Sequence, residues 1–244
     1  MCESTNAAGL ERHERQQKRL ISFDVGLKHL AFVELLLLAR PSSEHEDAPD
    51  QIESIERWAV LDATAGRASL TAEALTASIV QALDDAFYDP ARAHYDVVLV
   101  ENQPSRKNPA MKSVQVAILA YFATVRLHAG CVGEVRLIGA SRKLAGDDAA
   151  VGNDADEQIA KTAAQLYRAR KARSVELCAA ALTEGGRLSG ARGAPEALAT
   201  LRAAKKKDDL ADAMLQALAF IDGSDGKKNK KKKKKNNNMS GLLT

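Results

Sequence analysis

An α/β fold, with a central mixed sheet and helices on both faces, is predicted by three features of the chain. Three strand-like segments come first, and helical segments then alternate with single short strands. One later strand, residues 95 to 100 (YDVVLV), is a β-branched run without polar alternation, as expected for a parallel strand buried on both faces. Apolar residues make up 45% of the 244, enough for one domain with a real core.

The elements follow in order. Residues 1 to 18 are polar and charged and read as a disordered lead-in. Residues 20 to 38 (LISFDVGLKHLAFVELLLL) read as two strands joined by a tight turn near Gly26 to Lys28. Residues 52 to 61 form a third strand. Leu70, Leu75, Ile79 and Leu83 recur at helical spacing and predict an amphipathic helix over 70 to 87. Pro109 is placed to open a helix over 110 to 128. Residues 134 to 138 make another short strand, 156 to 182 a long helix, and 208 to 221 the last helix. Residues 185 to 195 (GGRLSGARGAP) read as a flexible loop. One domain over 19 to 222 is thus flanked by the lead-in and by a disordered tail over 223 to 244.

That tail is the strongest compositional feature. Eight lysines fall within residues 227 to 235, so the formal net charge of +3 hides an acidic body with 27 basic and 32 acidic residues. If the body binds a polyanion, its bases must be clustered on one face. The tail is expected to be a flexible DNA arm or a nuclear signal. No run of eighteen apolar residues exists, so no membrane span is expected. The first twenty residues lack an apolar signal core, which makes an intracellular protein the expectation. Nucleus, cytoplasmic viral replication site and organelle are not distinguished. Cys2, Cys131 and Cys178 have neither metal-ligand nor disulfide spacing and read as core or incidental thiols.

Three acidic spots carry the chemistry. Asp24, within SFDVG, is a carboxylate among apolar residues in the middle of the first strand, costly unless paired or bound to a cation. Gly26 beside it permits close approach of backbone or ligand. Glu101 directly follows VVLV, at the carboxyl end of a buried strand, where ligands of open α/β sheets bind. In KKKDDLADAMLQAL, Asp208 or Asp209 opens a helix. Helix capping and dipole chemistry account for Asp208. They do not account for Asp212, which lies among Leu210, Ala211, Ala213, Met214 and Leu215 and shares a face with Asp209. Carboxylates on two strands and one helix, with few histidines, favour Mg²⁺, with Mn²⁺ able to substitute, over zinc. Two such ions can activate a water and stabilise the leaving oxygen of a phosphodiester. Bases for phosphate lie close by: Arg106, Lys107 and Lys112 after Glu101; Arg142 and Lys143 on a loop; Arg168, Arg170, Lys171 and Arg173 on the long helix; and Lys205, Lys206 and Lys207 before Asp208.

These segments resemble a known family. SFDVGLKHLAF resembles the first-strand motif of RuvC-like Holliday-junction resolvases, in the form found in poxviruses, other large DNA viruses and yeast mitochondria. VLVENQPSRKNPAMKSVQVAILAYF resembles the second block, YRARKARSVELCAAAL the segment ahead of the last block, and KKKDDLADAMLQAL the last block itself. Together they span residues 20 to 221. The resemblance implies a ribonuclease H-like fold and makes Asp24, Glu101, Asp209 and Asp212 the metal-binding catalytic acids. Asp208 matches a further acid of the viral form. Lys171 is implied as a DNA-phosphate or transition-state contact. His29 departs from the pattern, which has Asn there. The implied activity is a structure-selective endonuclease on four-way DNA junctions, and the two-fold symmetry of a junction calls for a homodimer. Two rivals stand beside it. An actin-like-fold ATPase or kinase also carries Asp-x-Gly on a first hairpin, but it needs a second such hairpin that is absent here. A non-catalytic branched-DNA-binding protein has no need of intact acids in all three blocks.

Overall fold

The computed structural model describes residues 17–38, 50–67, 69–88, 94–104, 108–139 and 162–223. The lead-in, the tail, Arg106, Lys107, Arg142 and Lys143 lie outside the described residues, apart from residues 17, 18 and 223 at the two edges.

Five strands form one sheet in the order β3-β2-β1-β4-β5. β1 (Gln17–Asp24), β2 (Leu30–Leu38) and β3 (Gln51–Leu61) form an antiparallel meander, while β4 (Tyr95–Asn102) runs parallel to β1 and β5 (Val132–Gly139) parallel to β4. The sheet is therefore mixed, as expected of a ribonuclease H-like fold. β1 extends back to Gln17, two residues into the stretch read as lead-in, because its whole length pairs with β2 out to Leu38.

Helices cover both faces. α1 (Ala72–Phe87) and α2 (Pro109–Ala129) pack on one, burying Leu75, Ile79, Leu83, Val114, Ile118 and Phe122 against Ile21, Phe23, Val98 and Val100. The Phe23 ring lies within 6.1 Å, centroid to centroid, of Phe32, Phe87 and Phe122, which fixes the strand immediately before Asp24. α2 is long and apolar enough to cross a membrane by length and composition alone. Its buried stripe against the sheet and α1 makes it a core helix here.

On the other face lie α3 (Ala163–Leu182), α4 (Ala194–Ala203) and α5 (Lys207–Ile221). α5 is apolar nearly all round, with Leu210 to Leu218 buried in an unbroken run, so it is the central helix of this layer. The Trp58 indole of β3 donates 3.1 Å to the Leu210 carbonyl and anchors the first turn of α5 to the sheet.

The segment read as a flexible loop is packed instead. Leu188, Ala191 and Ala194 are buried, and Arg192 exchanges backbone hydrogen bonds with the edge of β3, accepting from Ile55 N–H at 2.9 Å and donating to the Glu53 carbonyl at 2.9 Å. Gly193, at φ +86°, lies so close to the Ile55 carbonyl that a Cβ would be 2.7 Å from it, so glycine here permits close docking rather than looseness. α4 follows directly and was not foreseen. Cys178 is fully buried and its thiol free, as a small core hydrophobe would be.

Trp58→Phe keeps a ring in the core but removes the indole bond to the Leu210 carbonyl. It should lower the unfolding free energy by about 0.5–1.5 kcal/mol in urea titration. An unchanged midpoint would show that the indole N–H does not hold α5.

Candidate metal centre

The parallel register places two acids side by side. Phe23 of β1 is aligned with Val100 of β4, so the next residues, Asp24 and Glu101, fall level at the carboxyl edge of the sheet. Asp24 is the last residue of β1 rather than the middle of a strand, because β2 turns back at Leu30 and pairs Ala31 with it. The turn is tight at Gly26, where a Cβ would meet the His29 carbonyl at 2.5 Å. Glu101 lies inside β4, which continues to Asn102 through pairing with Ile138 and Gly139 of β5. Both acids are buried, at 7% and 8% exposure.

α5 brings the remaining acids over this edge. Asp208 and Asp209 sit in its first turn, which opens at Lys207, and Asp212, itself 8% exposed, lies one turn further on. The helix is held to β1 by Gln216, a fully buried residue one turn beyond Asp212. Its amide nitrogen donates 3.1 Å to Ser22 Oγ and 3.2 Å to the Phe23 carbonyl, the two residues before Asp24. Among the described residues its Oε1 has no hydrogen-bond partner. A buried amide that tolerates an orphaned oxygen to make these bonds ties the strand acid to the helix acids.

Asp24, Glu101, Asp209 and Asp212 thus line one open cleft, together with Val25 to His29, Gln103, Met111, Tyr167 and Lys171. The Lys171 ammonium, from α3, stands among the α5 carboxylates: 3.0 Å from Asp212, 3.2 Å from Asp208 and 3.8 Å from Asp209. Burial alone would depress the Lys171 pKa, but Asp212 first, then Asp24 and Asp208, raise it well above the ordinary lysine value. It is a permanent cation. Burial pushes Asp208 up, yet Lys171 outweighs this and leaves its carboxyl below the usual range. Asp209 is raised, by burial and then by Asp208, with Lys171 only partly offsetting them. Among the described residues no three His, Cys, Asp or Glu side chains converge tightly enough to hold an ion as they stand.

Of the described bases singled out from sequence, only Lys171 lines the cleft. Arg170, Lys205, Lys206 and Lys207 are exposed on α3 and around the start of α5. Lys112 turns to Gln115 Oε1 at 3.1 Å and Asn102 Oδ1 at 3.4 Å. The sequence reading missed Gln103, Gln115 and Gln216. Gln103 donates 2.6 Å to Glu101 and its backbone N–H donates 2.7 Å to the buried Gln115, so it fixes the rotamer of the strand-end acid. A polar residue at a core-facing position of an apolar helix was the available signal, at Gln115 and again at Gln216.

No family model matches the chain, and no curated protein matches it in sequence. In structure it is similar to the yeast mitochondrial Holliday junction resolvase Ydc2, with 15% identity over 84% of this chain and 78% of that one, at a TM-score of 0.45. It is similar also to the fowlpox virus Holliday junction resolvase, with 16% identity over 84% and 98% and a TM-score of 0.45. RuvC of Thermus thermophilus matches at 13% identity over 83% and 94%, with a TM-score of 0.44. These are resolvases of the group whose motifs the sequence resembles. At such low values the likeness assigns no residue a role.

The two helix acids should differ in their effect on the metal-free protein. The raised carboxyl of Asp209 means that folding disfavours its charged form, a cost present at high pH and lost as pH falls. Asp209→Asn should therefore stabilise the protein in chelator by up to about 1 kcal/mol. Asp212→Asn loses a 3.0 Å partner of Lys171 and should destabilise it. Urea melts in chelator check both signs.

Proposed function

We propose that this chain is a metal-dependent endonuclease that resolves four-way DNA junctions, using Mg²⁺, or Mn²⁺ in its place, held by Asp24, Glu101, Asp209 and Asp212. The observation that carries the reading is the assembly, in one cleft, of carboxylates from two neighbouring strand ends and one helix. Such an edge is where α/β sheets place ligands.

The donor set fits a hard divalent cation. The four acids offer only oxygen, and the described lining adds a single histidine, His29. Charge points the same way. Among the described residues five carboxylates, counting Asp208, share the site with Lys171 and Lys28, a formal excess of three negative charges in a partly buried site. One divalent cation leaves an excess, so a second can be accommodated. When bound, the pair supplies an activated water and charge stabilisation of the leaving oxygen. The protein's own part is positional. Gln103 holds Glu101, Gln216 sets the α5 acids against β1, and exposed Lys205, Lys206, Lys207 and Arg170 give phosphates a positive approach to the cleft. A homodimer would present two such clefts to the two opposed strands of a junction. Tail lysines 227 to 235 would add a sequence-independent electrostatic arm.

The test is cleavage of a synthetic four-way junction. Paired nicks are expected with Mg²⁺ or Mn²⁺ and none in chelator. Asp24→Asn, Glu101→Gln and Asp212→Asn should each lower the cleavage rate by at least about a hundredfold while leaving junction binding in gel shift largely intact, since ligands are lost and phosphate contacts are not. Full activity in chelator, or wild-type cleavage by Asp212→Asn, would reject the metal mechanism.

A further inference from the structure

We propose that Lys171 is the resident counter-cation of this cleft: its ammonium occupies the carboxylate cluster in the metal-free protein and is expelled when a divalent cation takes those carboxylates. The inference rests on the metal site proposed above and concerns what fills it beforehand.

The geometry is specific. Lys171 reaches from α3 to Asp208, Asp209 and Asp212 together, at 3.2, 3.8 and 3.0 Å, so one ammonium spans both acidic positions of the first turn of α5 and the acid one turn later. Only about a quarter of the Lys171 side chain is exposed. A single flexible chain thereby brings one positive charge into contact with three acids that would otherwise repel one another. Yet an ammonium is a poor permanent partner for this set. It offers three donors, which Asp208, Asp209 and Asp212 already take up, while the same cleft is also lined by Asp24 and Glu101. A divalent cation carries twice the charge and accepts more oxygens than an ammonium has donors. Ion and ammonium need the same oxygens of Asp209 and Asp212, so occupancy by one excludes the other. The four-carbon stem lets the displaced ammonium retreat toward the open mouth, on the side of exposed Tyr167 one helical turn away. Removal of the lysine charge then strengthens metal binding, the opposite of what a second-layer support residue would do.

The test is Mn²⁺ titration of the intact protein without DNA, by calorimetry or by loss of the free-Mn²⁺ paramagnetic resonance signal. Lys171→Gln should bind Mn²⁺ about tenfold more tightly than wild type, the ordinary scale of coupling between two competing ligands. Its metal-free form should melt earlier, and Mn²⁺ should raise its melting temperature by more than it raises that of wild type. Lys171→Arg, which keeps the charge, should stay close to wild type in affinity. Should Lys171→Gln fail to fold, wild type alone decides the matter. Acylation of Lys171 by an amine-selective reagent, read by mass spectrometry against surface lysines, should rise several-fold on saturation with Mn²⁺. Equal or weaker Mn²⁺ binding by Lys171→Gln, or Lys171 acylation unchanged by Mn²⁺, overturns the displaced-lysine proposal while wild-type binding leaves the metal site standing. Absence of Mn²⁺ binding by wild type overturns both.

Discussion

Mutual repulsion of carboxylates at the edge of a buried sheet is the constraint on which the rest of this structure depends. Asp24, Glu101 and Asp212 are each less than a tenth exposed and lie around one cleft with Asp209. Bringing like charges together out of water is unfavourable unless cations share the space. In the metal-free protein Lys171 supplies part of that compensation. Asp209, whose carboxyl is raised by burial and by Asp208, still carries a cost that the core must offset.

The fold answers that constraint with rigid supports. Parallel pairing of β1 with β4 sets Asp24 level with Glu101. The Phe23 aromatic cluster locks β1 from one face, and α5 locks it from the other through Gln216. Trp58 holds the start of α5. Each acid is therefore carried by a strand or a helix rather than by a loop, whereas Lys171 reaches the α5 acids on a long side chain.

Much of this was legible in the sequence. Among the described residues, period and β-branched composition pointed to all five strands and four of the five helices, since these signals come from burial itself. The acids were legible because a carboxylate in an apolar setting, such as Asp212 between Ala211 and Ala213, has few structural explanations. Residues 185 to 203 were not. Gly193 serves close docking on β3, and docking depends on a tertiary neighbour that no local pattern encodes. Asp24 was placed mid-strand because the apolar run continues to Val25, whereas the turn at Gly26 ends the ladder earlier. Gln216 was overlooked for a related reason. Its role exists only through contact with Ser22 and Phe23, nearly two hundred residues away in sequence.

Anomalous diffraction from crystals soaked in Mn²⁺ shows whether the carboxylates of β1, β4 and α5 form a divalent-cation centre. Mn²⁺ peaks are expected among Asp24, Glu101, Asp209 and Asp212, with the Lys171 ammonium withdrawn from the α5 acids. Crystals that take up Mn²⁺ elsewhere, or that leave this cleft without an anomalous peak at saturating Mn²⁺, would contradict it.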